Sequence, residues 1–146
     1  MEQVLIAVVL GAVAVAIAWF VQRRQRPDAP VRTGYPVPVQ VDRADFARPD
    51  APWLVAVFSS ATCAACAGVW DKARHLDSAA VAVQDVEFVA DRALHERYGI
   101  EAVPTTLVVD AEGVVQASFL GPVTATDLWA AVAEAREPGS TPGACH

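Results

Sequence analysis

The chain is expected to fold as one α/β domain, a mixed central sheet flanked by helices, behind a single N-terminal transmembrane helix. Three observations predict this. Val4 to Val21 is an uninterrupted run of eighteen apolar or glycine residues; Trp53 to Phe58 is a shorter apolar run that leads into Cys63-Ala64-Ala65-Cys66; and strand-like and helix-like patterns alternate from there to Arg136.

As a helix rising 1.5 Å per residue, Val4 to Val21 reaches about 27 Å, close to the hydrocarbon thickness of a bilayer. It reads as a membrane span, with Trp19 and Phe20 suited to the interfacial aromatic belt. A signal peptide is the competing reading, since Ala14, Ala16 and Ala18 offer a small-residue cleavage site. Met1-Glu2-Gln3 carries no basic side chain, however, and the apolar stretch is longer than a signal core, which favours an uncleaved anchor. Arg23, Arg24 and Arg26 follow the span directly and Arg32 soon after. By the positive-inside rule these leave the N-terminus outside and the folded domain in the cytoplasm of a single-pass membrane protein. The odd cysteine count, three, fits a reducing compartment.

Residues 22–36 hold Pro27, Pro30, Pro36 and Gly34 and form a stiff, extended linker. The folded domain is expected over residues 37–136. Val37, Val39 and Val41 alternate as a short edge strand, where Pro38 is tolerable, and Asp42 to Phe46 follow as a helical turn or loop. Trp53 to Ser59 is a strand buried on both faces. After the cysteines, Val69, Ala73 and Leu76 recur at helical spacing. Val86 to Ala90 is the next strand, and Arg92 to Tyr98 a short helix stopped by Gly99. Thr106 to Val109 pairs with Val114 to Phe119 across the turn Asp110-Ala111-Glu112-Gly113. Gly121-Pro122 breaks that strand, and Thr126-Asp127 caps a final helix through Arg136, with Leu128, Ala131, Val132 and Ala135 inward. Residues 137–146 read as a disordered tail, which makes Cys145 and His146 incidental.

The strand-to-helix junction gives the two cysteines their chemistry. The first amide groups of a helix are unpaired and its dipole is positive there, so a thiol at that end loses its proton more easily. The thiolate is the nucleophile of thiol–disulfide exchange. Cys63 is therefore the expected attacking sulfur, and Cys66, turned toward the body of the fold, the resolving one. Two other readings exist for such a pair. They are small buried hydrophobes, or half of a zinc site that needs two more ligands, for which only His75, His95, Cys145 and His146 are at hand, scattered. A sharper rival is soft-metal binding, since Thr62-Cys63-Ala64-Ala65-Cys66 also resembles the loop of small heavy-metal-associated domains that hold Cu(I) between two thiolates.

From Pro27 onward there are eight basic and sixteen acidic residues, a net charge of −8 with histidine neutral. That balance argues against nucleic acid as a partner, which would want the opposite sign.

With these pieces placed, the region from about Val37 to Arg136 resembles the thioredoxin family. Four marks occur in order: Trp53 to Phe58 before the two cysteines, Tyr98-Gly99-Ile100 leading to Val103-Pro104-Thr105, the turn from Asp110 to Gly113, and Gly121 before the last helix. The resemblance implies a membrane-anchored protein-disulfide oxidoreductase with no cofactor beyond its Cys63–Cys66 pair, acting on protein thiols and disulfides with electrons from a donor protein. It also implies a cis bond before Pro104, facing the sulfurs, and a substrate-binding surface made by Thr62, Val103, Pro104 and Thr105. The metal-domain rival lacks a counterpart to Val103-Pro104-Thr105 and usually carries methionine where Ala61 stands. A third reading is a tethered interaction module with vestigial thiols.

Departures matter too. Thr62 replaces the familiar tryptophan, Ala64-Ala65 stand between the sulfurs, and the family's buried aspartate falls at Val57. Glu87 is the candidate substitute proton acceptor for Cys66, the alternative being a carboxylate that points to solvent near a strand end. A cytoplasmic domain meets a reducing glutathione poise, so reduction is the expected direction. Many membrane-tethered bacterial relatives work outside the cytoplasm, and that placement stays open.

Overall fold

Six consecutive apolar residues, from Trp53 to Phe58, form the strand they predict, and it lies at the centre of the sheet. The computed structural model describes residues 34–140, together with Met1, Gly11, Val13 and Val15. The expected span Val4 to Val21 thus falls almost wholly outside the described residues, as do most of the linker over 22–36 and Cys145 and His146. Among the described residues no helix is long and apolar enough to cross a membrane.

β1 (Trp53–Ser59) is buried from Leu54 to Ser59. It pairs in parallel with β2 (Val81–Glu87) and antiparallel with β3 (Thr105–Val109), which pairs antiparallel with β4 (Val115–Leu120). The sheet is mixed, in the order β2-β1-β3-β4. Because alternate residues of a strand point to opposite faces, β1 feeds two cores. Leu54, Ala56 and Phe58 join Ala82, Val86, Leu107 and Val109 on one face, with Phe46, Val41 and Ile100 beneath. Val55 and Val57 join Val81 and Val108 on the other.

Helices cover both faces. α1 (Ala64–Ala73) packs Val69 and Ala73 onto the second face, and α3 (Ala125–Arg136) adds Leu128 and Val132 there. α2 (Arg92–Arg97) covers the first, where the buried His95 ring meets Phe58 edge-on with centroids 5.1 Å apart. Each large apolar side chain removed from water stabilises by about 1.5–3 kcal/mol. A strand that buries both faces is therefore the main organising contribution.

Three boundaries differ from the sequence expectation, each for a physical reason. The strand expected over Val86 to Ala90 starts five residues earlier and ends at Glu87. The Glu87 carboxylate accepts the amides of Val89 and Ala90, which turns the chain out of the sheet. The edge strand at Val37, Val39 and Val41 reduces to a single bridge, Gln40 to Val114, flanked by Val41 N–H to Gly113 O (2.8 Å) and Val115 N–H to Val39 O (2.9 Å). Pro38 and Pro36 have no N–H with which to extend the ladder. The final helix is capped by Thr124, not Thr126: Thr124 Oγ1 accepts from Asp127 N–H at 3.0 Å.

Other expectations hold. Asp42 to Phe46 contains a 3₁₀ turn, Arg43–Asp45, and a second 3₁₀ turn carries the chain after α1 to Leu76. Gly99 follows α2 with φ +63°, a left-handed conformation that glycine adopts without steric cost.

Candidate active site

Cys63 is the N-cap residue of α1, with extended backbone and no side-chain capping bond. It lies four residues beyond the end of β1, so the loop delivers it to the edge where the sheet meets the helix. Cys66, one turn in, shares the buried face of α1 with Val69 and Ala73. A disulfide joins the two cysteines, whose Cα atoms are 5.4 Å apart. Cys63 is half-buried, whereas Cys66 is 3% exposed. Cys63 is thus the more accessible residue of the pair, the asymmetry expected if Cys63 attacks and Cys66 resolves.

The Val103–Pro104 peptide bond is cis. β3 begins at Thr105, which pairs with Phe58, so this bond lies at the same end of the sheet as the loop carrying Cys63. Pro104 is buried and its carbonyl accepts Gly121 N–H at 2.7 Å, linking it to the residue that follows β4. Having no N–H, proline leaves no donor of its own to satisfy there. Val103 is half-buried against the first-face core. Thr105 is 1% exposed and its hydroxyl donates inward to Ala102 O at 2.7 Å. Thr62 is exposed, its Oγ1 3.1 Å from Ser60 Oγ. Of the four expected substrate-facing residues, then, Thr62 offers a side chain to solvent, while Thr105 spends its hydroxyl inside.

Glu87 is engaged by backbone. Its Oε2 accepts Val89 N–H at 2.8 Å and Ala90 N–H at 2.9 Å, and its Oε1 accepts Ala61 N–H at 3.1 Å. The Ala90 amide, then that of Ala61, hold its carboxyl below the ordinary carboxylate value, because these donors favour the charged form. Glu87 consequently ties the loop before Cys63 to the turn after β2. A folded-state value below the unfolded one adds stability that is present above the unfolded value and lost as pH falls through the folded one. Glu87→Gln is therefore expected to melt below the wild type at pH 7, with the gap closing under acid below about pH 4. Thermal melts over a pH series check this, and a gap unchanged by pH would contradict the assignment.

Sequence reasoning missed a polar group on the α1 side of the sheet. Ser59, 5% exposed, donates its hydroxyl to Asp85 Oδ1 at 2.5 Å. Register places Asp85 beside Val57 on one side and Thr106 beside it on the other. Val57 and Thr106 are fully buried, and Thr106 Oγ1 has no hydrogen-bond partner among the described residues. The usable signal was the apolar run Val81-Ala82-Val83: a strand begun there carries Asp85 into the sheet opposite the end of β1. Among the described residues no group of three or more His, Cys, Asp or Glu side chains converges as metal ligands do.

No protein-family model matches the chain, and no curated protein matches it either. Solved structures do. A mutant thioredoxin from Halobacterium salinarum superposes with TM-score 0.55 at 22% identity, over 69% of this chain and 89% of its own. The germline-specific thioredoxin Deadhead from Drosophila melanogaster gives 0.52 at 22%, over 59% and 83%. Mitochondrial thioredoxin 3 from Saccharomyces cerevisiae, in its oxidized form, gives 0.50 at 17%, over 59% and 81%. Such low identity speaks to architecture, and the architecture agrees along most of each of those chains: by its fold, this protein is thioredoxin-like.

Proposed function

We propose that the protein is a thiol–disulfide oxidoreductase that reduces protein disulfides through Cys63 and Cys66. The observation that carries this reading is the Cys63–Cys66 disulfide at the start of α1, with Cys63 half-buried and Cys66 enclosed. Cys63 thiolate attacks a substrate disulfide, forming a mixed disulfide and releasing one substrate thiolate. Cys66 then attacks Cys63, closing the intramolecular disulfide and releasing the second. Val103 and Pro104, at the same end of the sheet, are the proposed seat of the substrate chain, with Thr62 and Thr105 beside them. No cofactor beyond the cysteine pair takes part, and a donor protein returns the electrons.

The same proposal tethers the domain to the cell membrane through residues 4–21, on the cytoplasmic side. The uncharged run and the arginines at 23, 24 and 26 support that orientation. A cytoplasmic site supports the reducing direction.

Equilibrating the full chain against glutathione and dithiothreitol buffers, then alkylating free thiols, tests the reading. Reversible formation of one disulfide with a potential near the roughly −270 mV of thioredoxin is the expected result. A value nearer −120 mV marks an oxidant and, with labelling by a membrane-impermeant thiol reagent from outside intact cells, reverses the topology. Failure to form a reversible disulfide, with stoichiometric Cu(I) binding by the reduced chain instead, overturns the function in favour of metal carriage.

A further inference from the structure

We propose that the proton of the Cys66 thiol leaves through the Ser59 hydroxyl to the carboxylate of Asp85. This rests on the reading that Cys66 resolves a mixed disulfide on Cys63. Resolution needs the Cys66 thiolate, yet Cys66 is 3% exposed, so bulk water does not serve as its base. An acceptor on the side of the sheet facing α1 is on the side where Cys66 lies.

Cys66 shares the inward face of α1 with Val69 and Ala73, and those two pack with Val55 and Val57 in one cluster. Alternation puts Ser59 on that same side of β1, at the end from which the chain runs to α1. Register puts Asp85 there as well, directly opposite Val57 on β2. The 2.5 Å bond from Ser59 Oγ to Asp85 Oδ1 joins a nearly enclosed hydroxyl to a carboxylate that is half-exposed on the outer strand. A hydroxyl both donates and accepts, so Ser59 can take a proton from one side as it passes its own to the other. Thr106, across Val57, adds a second buried hydroxyl to the row.

The other charged groups nearby are occupied. Glu87, two residues along β2, is held by three amides. On α1, Lys72 Nζ donates to Val123 O at 2.7 Å, and Asp71 pairs with Arg74. His95 of α2 lies 2.9 Å from Val86 O through Nε2, toward the opposite face.

The step balances without an outside reagent. Starting from the mixed disulfide, the Cys66 S–H bond breaks and its proton passes to Asp85. The Cys66 thiolate bonds to Cys63 Sγ, the bond between Cys63 and the substrate sulfur breaks, and the substrate departs as thiolate with the electron pair. Asp85 returns the proton to that thiolate or to solvent. Cys63 and Cys66 end oxidised and the substrate reduced.

The test uses the full chain with Cys145→Ser. The reduced protein is mixed with an aromatic disulfide whose thiolate is coloured; the first equivalent released reports attack by Cys63, the second resolution by Cys66. Asp85→Asn is expected to slow the second release on the order of 100-fold at pH 7, the low end for general base catalysis, with the first release unchanged. Its rate should keep rising toward pH 8.5 or so, where an unassisted thiol ionises, while the wild type levels off earlier. Asp85→Glu restores the rate and Ser59→Ala slows it. Wild-type resolution by Asp85→Asn at every pH overturns the relay, and slowing by Glu87→Gln alone assigns the proton to Glu87. A wild type that completes the first release and never the second defeats the oxidoreductase reading itself, and the relay with it.

Discussion

Cys63→Ser is expected to abolish disulfide exchange, lowering the rate by several orders of magnitude, because a hydroxyl at this position supplies no thiolate. Cys66→Ser should do something different: attack proceeds, resolution does not, and substrate accumulates as a covalent adduct on Cys63. Both variants are to be made with Cys145→Ser, so that the third cysteine of the chain contributes no adducts. Non-reducing electrophoresis and mass spectrometry of the captured species are the measurements. The structural basis is the unequal exposure of the two residues, Cys63 half-buried and Cys66 enclosed. Equal trapping on either cysteine, or none on Cys63 in the Cys66→Ser protein, is the result that contradicts the assignment.

The largest expected stability effect lies away from the thiols, at Gly113→Ala. Gly113 has φ +84°, and a Cβ built there meets the Val41 carbonyl oxygen at 2.0 Å and its carbon at 3.2 Å. Val41 has nowhere easy to go. It is 4% exposed, its N–H donates to Gly113 O at 2.8 Å, and two residues on, the buried Arg43 donates to Ala51 O at 2.8 Å and Asp110 O at 3.1 Å. Strain and clash together should cost about 3 kcal/mol. For a domain of about 100 residues that lowers Tm by roughly 15 °C. Gly68→Ala is the control: it stands inside α1 with open space around it, and alanine should stabilise there by about 0.5–1 kcal/mol. A Gly113→Ala chain that melts with the wild type would show that the segment at Val41 yields freely.

The two glycines also mark what a sequence discloses. Gly113 reads as a turn residue between two strands, and the hairpin is there; its close approach to Val41, seventy-two positions away in the chain, does not read at all. The same division runs through the candidate site. Cys63 and Cys66 were legible at a strand-to-helix junction because an apolar run, a break and a helical repeat are local patterns. The hydrogen bonds of Glu87 were not, because three amides from two separate turns converge on it only after the chain has folded. That convergence also moved the end of β2, since a carboxylate that captures the next amides competes with the ladder.

By itself, then, the sequence determined the elements whose signal is periodic and near at hand: β1 at Trp53–Ser59, the helix after Cys63, the short helix stopped by Gly99, and the hairpin about Asp110 to Gly113. Tertiary structure decided the limits of β2, the Thr124 cap, the single bridge left to Gln40, and the placement of Asp85 beside Val57 with its bond from Ser59. The reason is physical. Burial periodicity selects an element's type within a few residues, whereas lateral register and the pairing of polar groups depend on which strands lie side by side, and that is settled only when both faces of β1 are covered.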